Sequence, residues 1–233
     1  MATIKDKLQE TTQRIETACS KAGRAVDSVT LLAVSKTFSA TVVREAHAVG
    51  LHRFGENYVQ EGLDKIATLA DLRAGLEWHL IGPLQSNKTR PVAENFDWVH
   101  SVDRLKIAQR LSEQRPAQLP PLNVCLQVNI SGEASKSGVA PGDVVELAQL
   151  VAALPRLRLR GLMAVPEPAA DFEAQRAPHR ALAALFNQLR AELGRQEGLA
   201  LDTLSMGMSA DLEAAILEGA TLVRVGTALF GSR

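Results

Sequence analysis

Apolar positions along this chain fall into two alternating rhythms. From Ile4 to Gly23 the apolar residues Ile4, Leu8, Ile15, Ala18 and Ala22 recur at helical spacing, with polar residues between them and a glycine to end the run. Beyond this opening helix, short dense apolar runs alternate with longer amphipathic ones. The short runs, read as strands, are 29–35, 52–55, 77–82, 98–102, 122–130, 159–164, 203–206 and 222–226. The segments 40–49, 58–72, 88–95, 104–113, 144–153, 172–195 and 211–218 read as the helices between them.

Strict strand-then-helix alternation implies a parallel sheet, because each helix carries the chain back to the edge where it started. Eight such units in 233 residues predict an α/β protein, a single closed (β/α)8 TIM barrel with an extra N-terminal helix. An open doubly wound sheet is the competing arrangement; the absence of a GxGxxG turn after the first strand counts against it. The Pro-rich stretch from Arg115 to Pro121 and the Pro/Glu/Ala stretch from Val165 to Asp171 fit loops. With no linker in view, residues 1–233 are expected to form one domain.

Charge and composition then exclude several functions. The 26 basic and 26 acidic residues balance, so no global field draws nucleic acid or an anionic membrane. Apolar stretches fall short of a membrane span, and the start lacks a signal-peptide core, which together predict a soluble cytoplasmic protein. Cys19 and Cys125 are the only cysteines and lack CxxC or zinc spacing, so both are expected to be buried and reduced. His47, His52, His100 and His179 show no metal-ligand spacing, and no metal is expected.

In a barrel the chemistry gathers at the carboxyl ends of the strands. Lys36 ends the first apolar run, where a lone lysine is costly unless its amine has a task or an anion to meet. A low-dielectric position beside a guanidinium would lower its pKa and make it nucleophilic toward an aldehyde. The last two units supply an anion site. Ser209 is placed to cap the helix that follows the seventh strand, and Gly207 and Gly226 let backbone approach closely while Thr227 adds a hydroxyl. Taken singly, Ser209 is as well explained as a cap and Gly226 as a turn; their joint placement on adjacent late strands is what points to a phosphate. Alternation puts Arg224 on the same side as Gly226 and sends Val223 and Val225 toward the helices. That arginine needs an acceptor, either a neighbouring carboxylate or a ring nitrogen of a ligand. His79, inside a strand, reads as a hydrogen-bonded core residue. An amine at one end and a phosphate cradle at the other suggest a phosphorylated carbonyl compound held as a Schiff base.

The segments Ala33–Thr37, Phe54–Tyr58, Trp78–Lys88, Leu204–Asp211 and Val223–Thr227 resemble, in order and spacing, the pyridoxal phosphate homeostasis protein family, over essentially the whole chain. That family is similar to the barrel domain of alanine racemase without its second domain. The resemblance implies pyridoxal 5′-phosphate as a Schiff base on Lys36, phosphate contacts from Ser209, Gly226 and Thr227, and Arg224 near the pyridine nitrogen. It further implies Asn57 and the segment containing His79, Ile81 and Gly82 near the ring, with Met206 and Gly207 approaching from the seventh strand. It assigns no catalytic residue. The implied role is a monomeric carrier or regulator in vitamin B6 homeostasis, with apo pyridoxal-phosphate enzymes as acceptors. A pyridoxal-phosphate-dependent amino-acid racemase and a cofactor-free Schiff-base lyase are the alternatives. Two departures bear on the carrier role. Phe38 stands where many members have a second lysine, and the sequence ends at Arg233 without the short basic tail of some members. Lys136 is the remaining candidate for a transfer lysine.

Overall fold

The computed structural model describes residues 2–132, 137–194 and 199–231. The strands are β1 (Thr30–Val34), β2 (Arg53–Glu56), β3 (Glu77–Leu80), β4 (Trp98–Val102), β5 (Leu122–Gln127), β6 (Leu157–Met163), β7 (Thr203–Met208) and β8 (Leu222–Val225). They pair in sequence order, all parallel, and β8 returns to β1 to close the barrel. Around it lie α1 (Ile4–Lys21), α2 (Ala40–Ala48), α3 (Val59–Thr68), α4 (Thr89–Asn95), α5 (Leu105–Gln114), α6 (Val144–Ala152), α7 (Phe172–Leu193), α8 (Leu212–Leu217) and α9 (Thr227–Phe230). The expected barrel and extra N-terminal helix are both present.

Helix α1 starts on a capping box, in which Thr3 and Asp6 each accept the other's backbone N–H. It packs on α8 and α9, beside the last two strands. Three boundaries differ from the sequence pattern for local reasons. The 58–72 run divides into α3 and a 3-10 turn at Ala70–Gly75. Strand β5 stops at Gln127, after which Val128 bridges to Val139 of the returning loop. A one-turn helix, α9, stands where only a Gly/Thr turn was expected.

Period-2 alternation sorts the strands between two environments. Outward residues such as Ala33, Phe54, Trp78, Leu80, Leu204, Val223 and Val225 join the main apolar core under the helices. The inward set is unusually polar at mid-height. Here His79, His100, Ser205 and Arg224 are all buried, with Trp98, Cys125 and Met163 packed together as a small apolar cluster. Burial pushes the Cys125 thiol up to about 12, so it stays protonated and inert. Cys19 is likewise buried and unbridged. Among the described residues, no helix is long and apolar enough to cross a membrane.

Candidate functional site

A cavity of about 320 Å³ opens at the carboxyl ends of the strands, lined by Val34, Lys36, Asn57, Ile81, Val165, Met208, Ser209, Ala210, Arg224, Gly226 and Thr227. Thus Lys36, Asn57, Ile81, Ser209, Arg224, Gly226 and Thr227 meet as expected. Gly82 lines an adjoining cavity that shares Asn57, Ile81 and Val165 with the first. A side chain there would strike the Asn57 backbone, with its Cβ 2.1 Å from the carbonyl oxygen, so Gly82 lets the β3 loop pass close over the end of β2. Cavities of about 360 and about 560 Å³ lie at the opposite mouth. Their arginines are engaged by the protein itself, Arg53 with Glu77, Arg73 with Asp97, Arg160 with Asp202 and Arg115 with the Pro120, Ala93 and Phe96 carbonyls. Size alone therefore does not select the site; the amine and the convergent donors do.

Three expected residues lie elsewhere. His79 is fully buried inside the barrel, reaches the lower mouth, and stacks on Trp98 with ring centroids 5.2 Å apart. Met206 sits in the outer core, and a Cβ on Gly207 would point at Ala215 in α8 at 2.5 Å rather than into the cavity. The reason is a bulge. Gly207 has a φ of 88°, and β7 advances three positions, from Ser205 to Met208, where β8 advances two, from Leu222 to Arg224. Alternation breaks there and Met208 takes the inward position. A glycine inside a strand was the available signal. Val34 was also legible, two residues before Lys36 on the same face.

Ser209 does not cap the helix that follows it. The N-cap position of α8 is Asp211, without a side-chain cap bond, and the Ser209 hydroxyl instead accepts from the Ala228 N–H at 3.4 Å. The helix that starts at the cavity is therefore α9, whose Leu229 and Phe230 N–H groups close on the Gly226 carbonyl while its Ala228 N–H meets the Ser209 hydroxyl. The Ser209 loop is tied from both sides. The Arg14 guanidinium of α1 donates to the Ser209 carbonyl at 2.9 Å and pairs with Glu213 at 2.7 Å. Asp211 accepts from the Met208 N–H at 2.6 Å and bonds His179 at 2.9 Å. Burial raises the Asp211 pKa, but those two bonds outweigh it and leave a carboxylate below its ordinary range.

Arg224 is held without a carboxylate in contact among the described residues. Its terminal nitrogens donate to the Ser205 carbonyl at 2.7 Å, the Ser205 hydroxyl at 2.9 Å and the Ala164 carbonyl at 2.9 Å. Of about five guanidinium N–H donors, the other two are left for a ligand. Burial lowers its pKa to about 10, so it remains a cation at neutral pH.

The turn that carries Lys36 has its own clamp, which the sequence pattern did not reveal. Glu56 at the end of β2 faces outward, fully buried, and its Oε1 accepts from Ser35 Oγ at 2.6 Å and Lys65 Nζ at 2.7 Å. Lys65 also donates to the Ser35 carbonyl at 2.7 Å and pairs with Glu61 at 2.6 Å. Glu61 in turn accepts the Thr37 N–H. The residues on either side of Lys36 are therefore fixed by one buried ion cluster. That cluster holds Thr37 in the left-handed region at a φ of 66°, unfavourable for a β-branched residue. On the other flank Phe38 packs on Phe230 of α9, ring centroids 5.1 Å apart. Lys136 lies outside the described residues.

The arrangement fits a phosphorylated aromatic aldehyde. Two hydroxyls, of Ser209 and Thr227, gather with Gly226 at one end, while Val34, Ile81, Val165 and Met208 give apolar walls. Asn57 Oδ1, buried without a hydrogen-bond partner, offers an unused acceptor. Lys36 supplies the amine.

Comparison with known proteins agrees. Residues 7–233 match the family model of the alanine racemase N-terminal domain. The pyridoxal phosphate homeostasis protein of Pseudomonas aeruginosa is 65% identical over 100% of this chain and 97% of its own length. That of Escherichia coli K12 is 53% identical over 100% and 98%. Among solved structures, PipY of Synechococcus elongatus with pyridoxal phosphate bound superposes with a TM-score of 0.80 at 38% identity, covering 94% of this chain and 100% of its own.

The ion cluster around Lys36 is open to a direct test. Replacing Lys65 with methionine should cost about 3 kcal/mol in urea unfolding at neutral pH, because it leaves Glu56 buried without its cation. Burial already raises the Glu56 pKa, with Lys65 lowering it again. In the variant the carboxyl must therefore be neutralised on folding. The loss should shrink below about pH 4.3, where the unfolded chain is protonated too. An unchanged midpoint at neutral pH would show that the cluster does not hold the turn.

Proposed function

The chain belongs to the pyridoxal phosphate homeostasis protein family, within the alanine racemase N-terminal domain fold, and from that premise we propose that it binds pyridoxal 5′-phosphate as a Schiff base on Lys36 and acts as a cytoplasmic carrier or regulator of that cofactor. The observation that carries this reading is the meeting of Lys36 from the first strand with Ser209, Arg224, Gly226 and Thr227 from the last two in one cavity. Ser209, Thr227 and the backbone at Gly226 would hold the phosphate, and Arg224 would face the pyridine nitrogen. Bound on a lysine, the cofactor supplies an electron sink whose strength depends on the protonation of its ring nitrogen. A guanidinium beside that nitrogen donates a hydrogen bond and keeps its proton, so Arg224 favours a weak sink.

The described lining of the cavity also offers little toward racemisation. Among its described lining residues, Lys36 and Arg224 are the ionisable ones. The single tyrosine, Tyr58, is 60% exposed and outside the lining. A second acid/base to serve the opposite face of a substrate is thus absent from those residues. A monomer that passes its cofactor to apo enzymes completes the proposal.

Three measurements test it. Borohydride reduction followed by peptide mapping should fix the cofactor on Lys36, and Lys36→Ala should abolish the fixed adduct; an adduct on Lys88 or Lys65 sinks the assignment. The Ser209→Ala/Thr227→Ala double variant should stay folded and retain the cofactor at least about a hundredfold less tightly, since each hydroxyl-to-anion bond contributes about 1.5–3 kcal/mol. Unchanged affinity would remove the phosphate site. Incubated with L- or D-alanine in deuterated water, the protein should incorporate deuterium at Cα more slowly than about 1 s⁻¹; faster exchange would favour the racemase.

A further inference from the structure

A continuous line of buried polar groups runs through the barrel from its lower mouth to the cofactor cavity. Glu77 Oε1 lies 2.8 Å from His79 Nε2, and His79 Nδ1 lies 2.9 Å from His100 Nε2. His100 Nδ1 is 2.9 Å from Ser205 Oγ, which accepts from Arg224 Nη1 at 2.9 Å. Both imidazoles and Ser205 are completely buried. Glu77, by contrast, borders the lower cavity with its side chain 39% exposed.

We propose that Glu77 is a positioning residue for Arg224, acting from the opposite mouth of the barrel through His79, His100 and Ser205. The proposal rests on the reading that Arg224 faces the cofactor ring. Its physical content is that every proton in the line has one allowed place. An ionised carboxylate can only accept, so His79 carries its proton on Nε2. A neutral His79 then presents Nδ1 as an acceptor, which places the His100 proton on Nε2. His100 Nδ1 is an acceptor in turn, and it takes the Ser205 hydroxyl proton. The Ser205 oxygen is thereby left with a lone pair toward Arg224, which has only donors to offer.

The charge states this requires are those the surroundings impose. Burial lowers the His79 pKa and outweighs the raising effect of Glu77, while burial and the neighbouring His79 and Arg224 take His100 well below its ordinary value. Both rings are neutral. Burial raises the Glu77 pKa, but the bond from His79 and the nearby Arg53 outweigh it and keep the carboxylate ionised at neutral pH. Arg53 itself contacts the same Glu77 oxygen at 3.2 Å, so a guanidinium stands at each end of the line.

Loss of the carboxylate removes the constraint that sets the direction. His79 and His100 then sample both tautomers, and in the reversed arrangement Ser205 no longer needs to donate to His100. Its hydroxyl proton is free to turn against the Arg224 N–H. The guanidinium keeps its two carbonyl acceptors but loses a third contact and its fixed orientation toward the cavity.

The test has one arm independent of the cofactor. In cofactor-free wild type, ¹⁵N NMR of the imidazole nitrogens should show both His79 and His100 protonated at Nε2. Glu77→Leu should mix the tautomers and move the Arg224 side-chain ¹⁵N resonances. In the cofactor-loaded protein, Glu77→Leu and Ser205→Ala should each shift the visible band and weaken retention about two- to tenfold, the worth of one neutral hydrogen bond. Because both cut the same line, adding Glu77→Leu to Ser205→Ala should produce little further change. A wild-type Nδ1–H tautomer at either histidine overturns the proposal. So do additive effects of the two substitutions, or a Glu77→Leu variant that melts earlier while its Arg224 resonances stay put. Should Glu77→Leu fail to fold, Glu77→Met, which also offers no oxygen acceptor, takes its place in the same measurements. A wild type without any cofactor band would defeat the functional reading instead, and the tautomer measurement would still decide the direction of the line.

Discussion

Much of this barrel is arranged around a single buried cation. Arg224 lies mid-height in the interior, where a charge without partners would be prohibitively costly. A carboxylate beside it would be the simplest remedy, yet that would cancel its field at the cavity. Instead the guanidinium is satisfied by two carbonyls and a hydroxyl. The bulge at Gly207 follows the residue that supplies two of those acceptors, Ser205, and redirects the strand toward the cavity. The polar mid-layer of His79, His100 and Ser205 is the rest of the same solution. It uses space that apolar side chains fill in most barrels of this kind.

A second charged cluster works on the outside of the sheet. Glu56, Lys65 and Glu61 fix the backbone on either side of Lys36 without entering the cavity. Such clusters contribute little net stability compared with apolar packing. Here the return is geometric: an amine on a flexible stem gains a rigid base. Just beyond the turn, Phe38 packs on Phe230, an apolar contact that ties it to α9.

The architecture and most of the cavity could be read from the chain because both follow from periodicity. Alternation places Arg224 and Gly226 inward, and the strand-end rule selects Lys36, Asn57 and Ile81. Failures fall where backbone leaves its regular repeat. Gly207 marks a bulge in the sequence, but its φ decides whether Met206 or Met208 turns inward. Ser209 was assigned to the wrong helix because α9 is a single turn, too short to leave a pattern. The Glu56–Lys65 pair and the line from Glu77 to Arg224 join residues on different elements, and no local spacing encodes them.

Closure of the sheet sets the order in which the site comes into being. Lys36 follows β1, whereas Arg224 and Thr227 belong to β8 and α9, and these ends of the chain meet only through the β1–β8 pairing. Parallel pairings between distant segments form late, after the entropy of closing a long loop has been overcome. A ribosome-bound chain still lacking its last strand therefore displays the lysine with neither the Thr227 hydroxyl nor the Arg224 guanidinium beside it. The cavity becomes a property of the finished polypeptide, and no stretch of chain short of β8 assembles it.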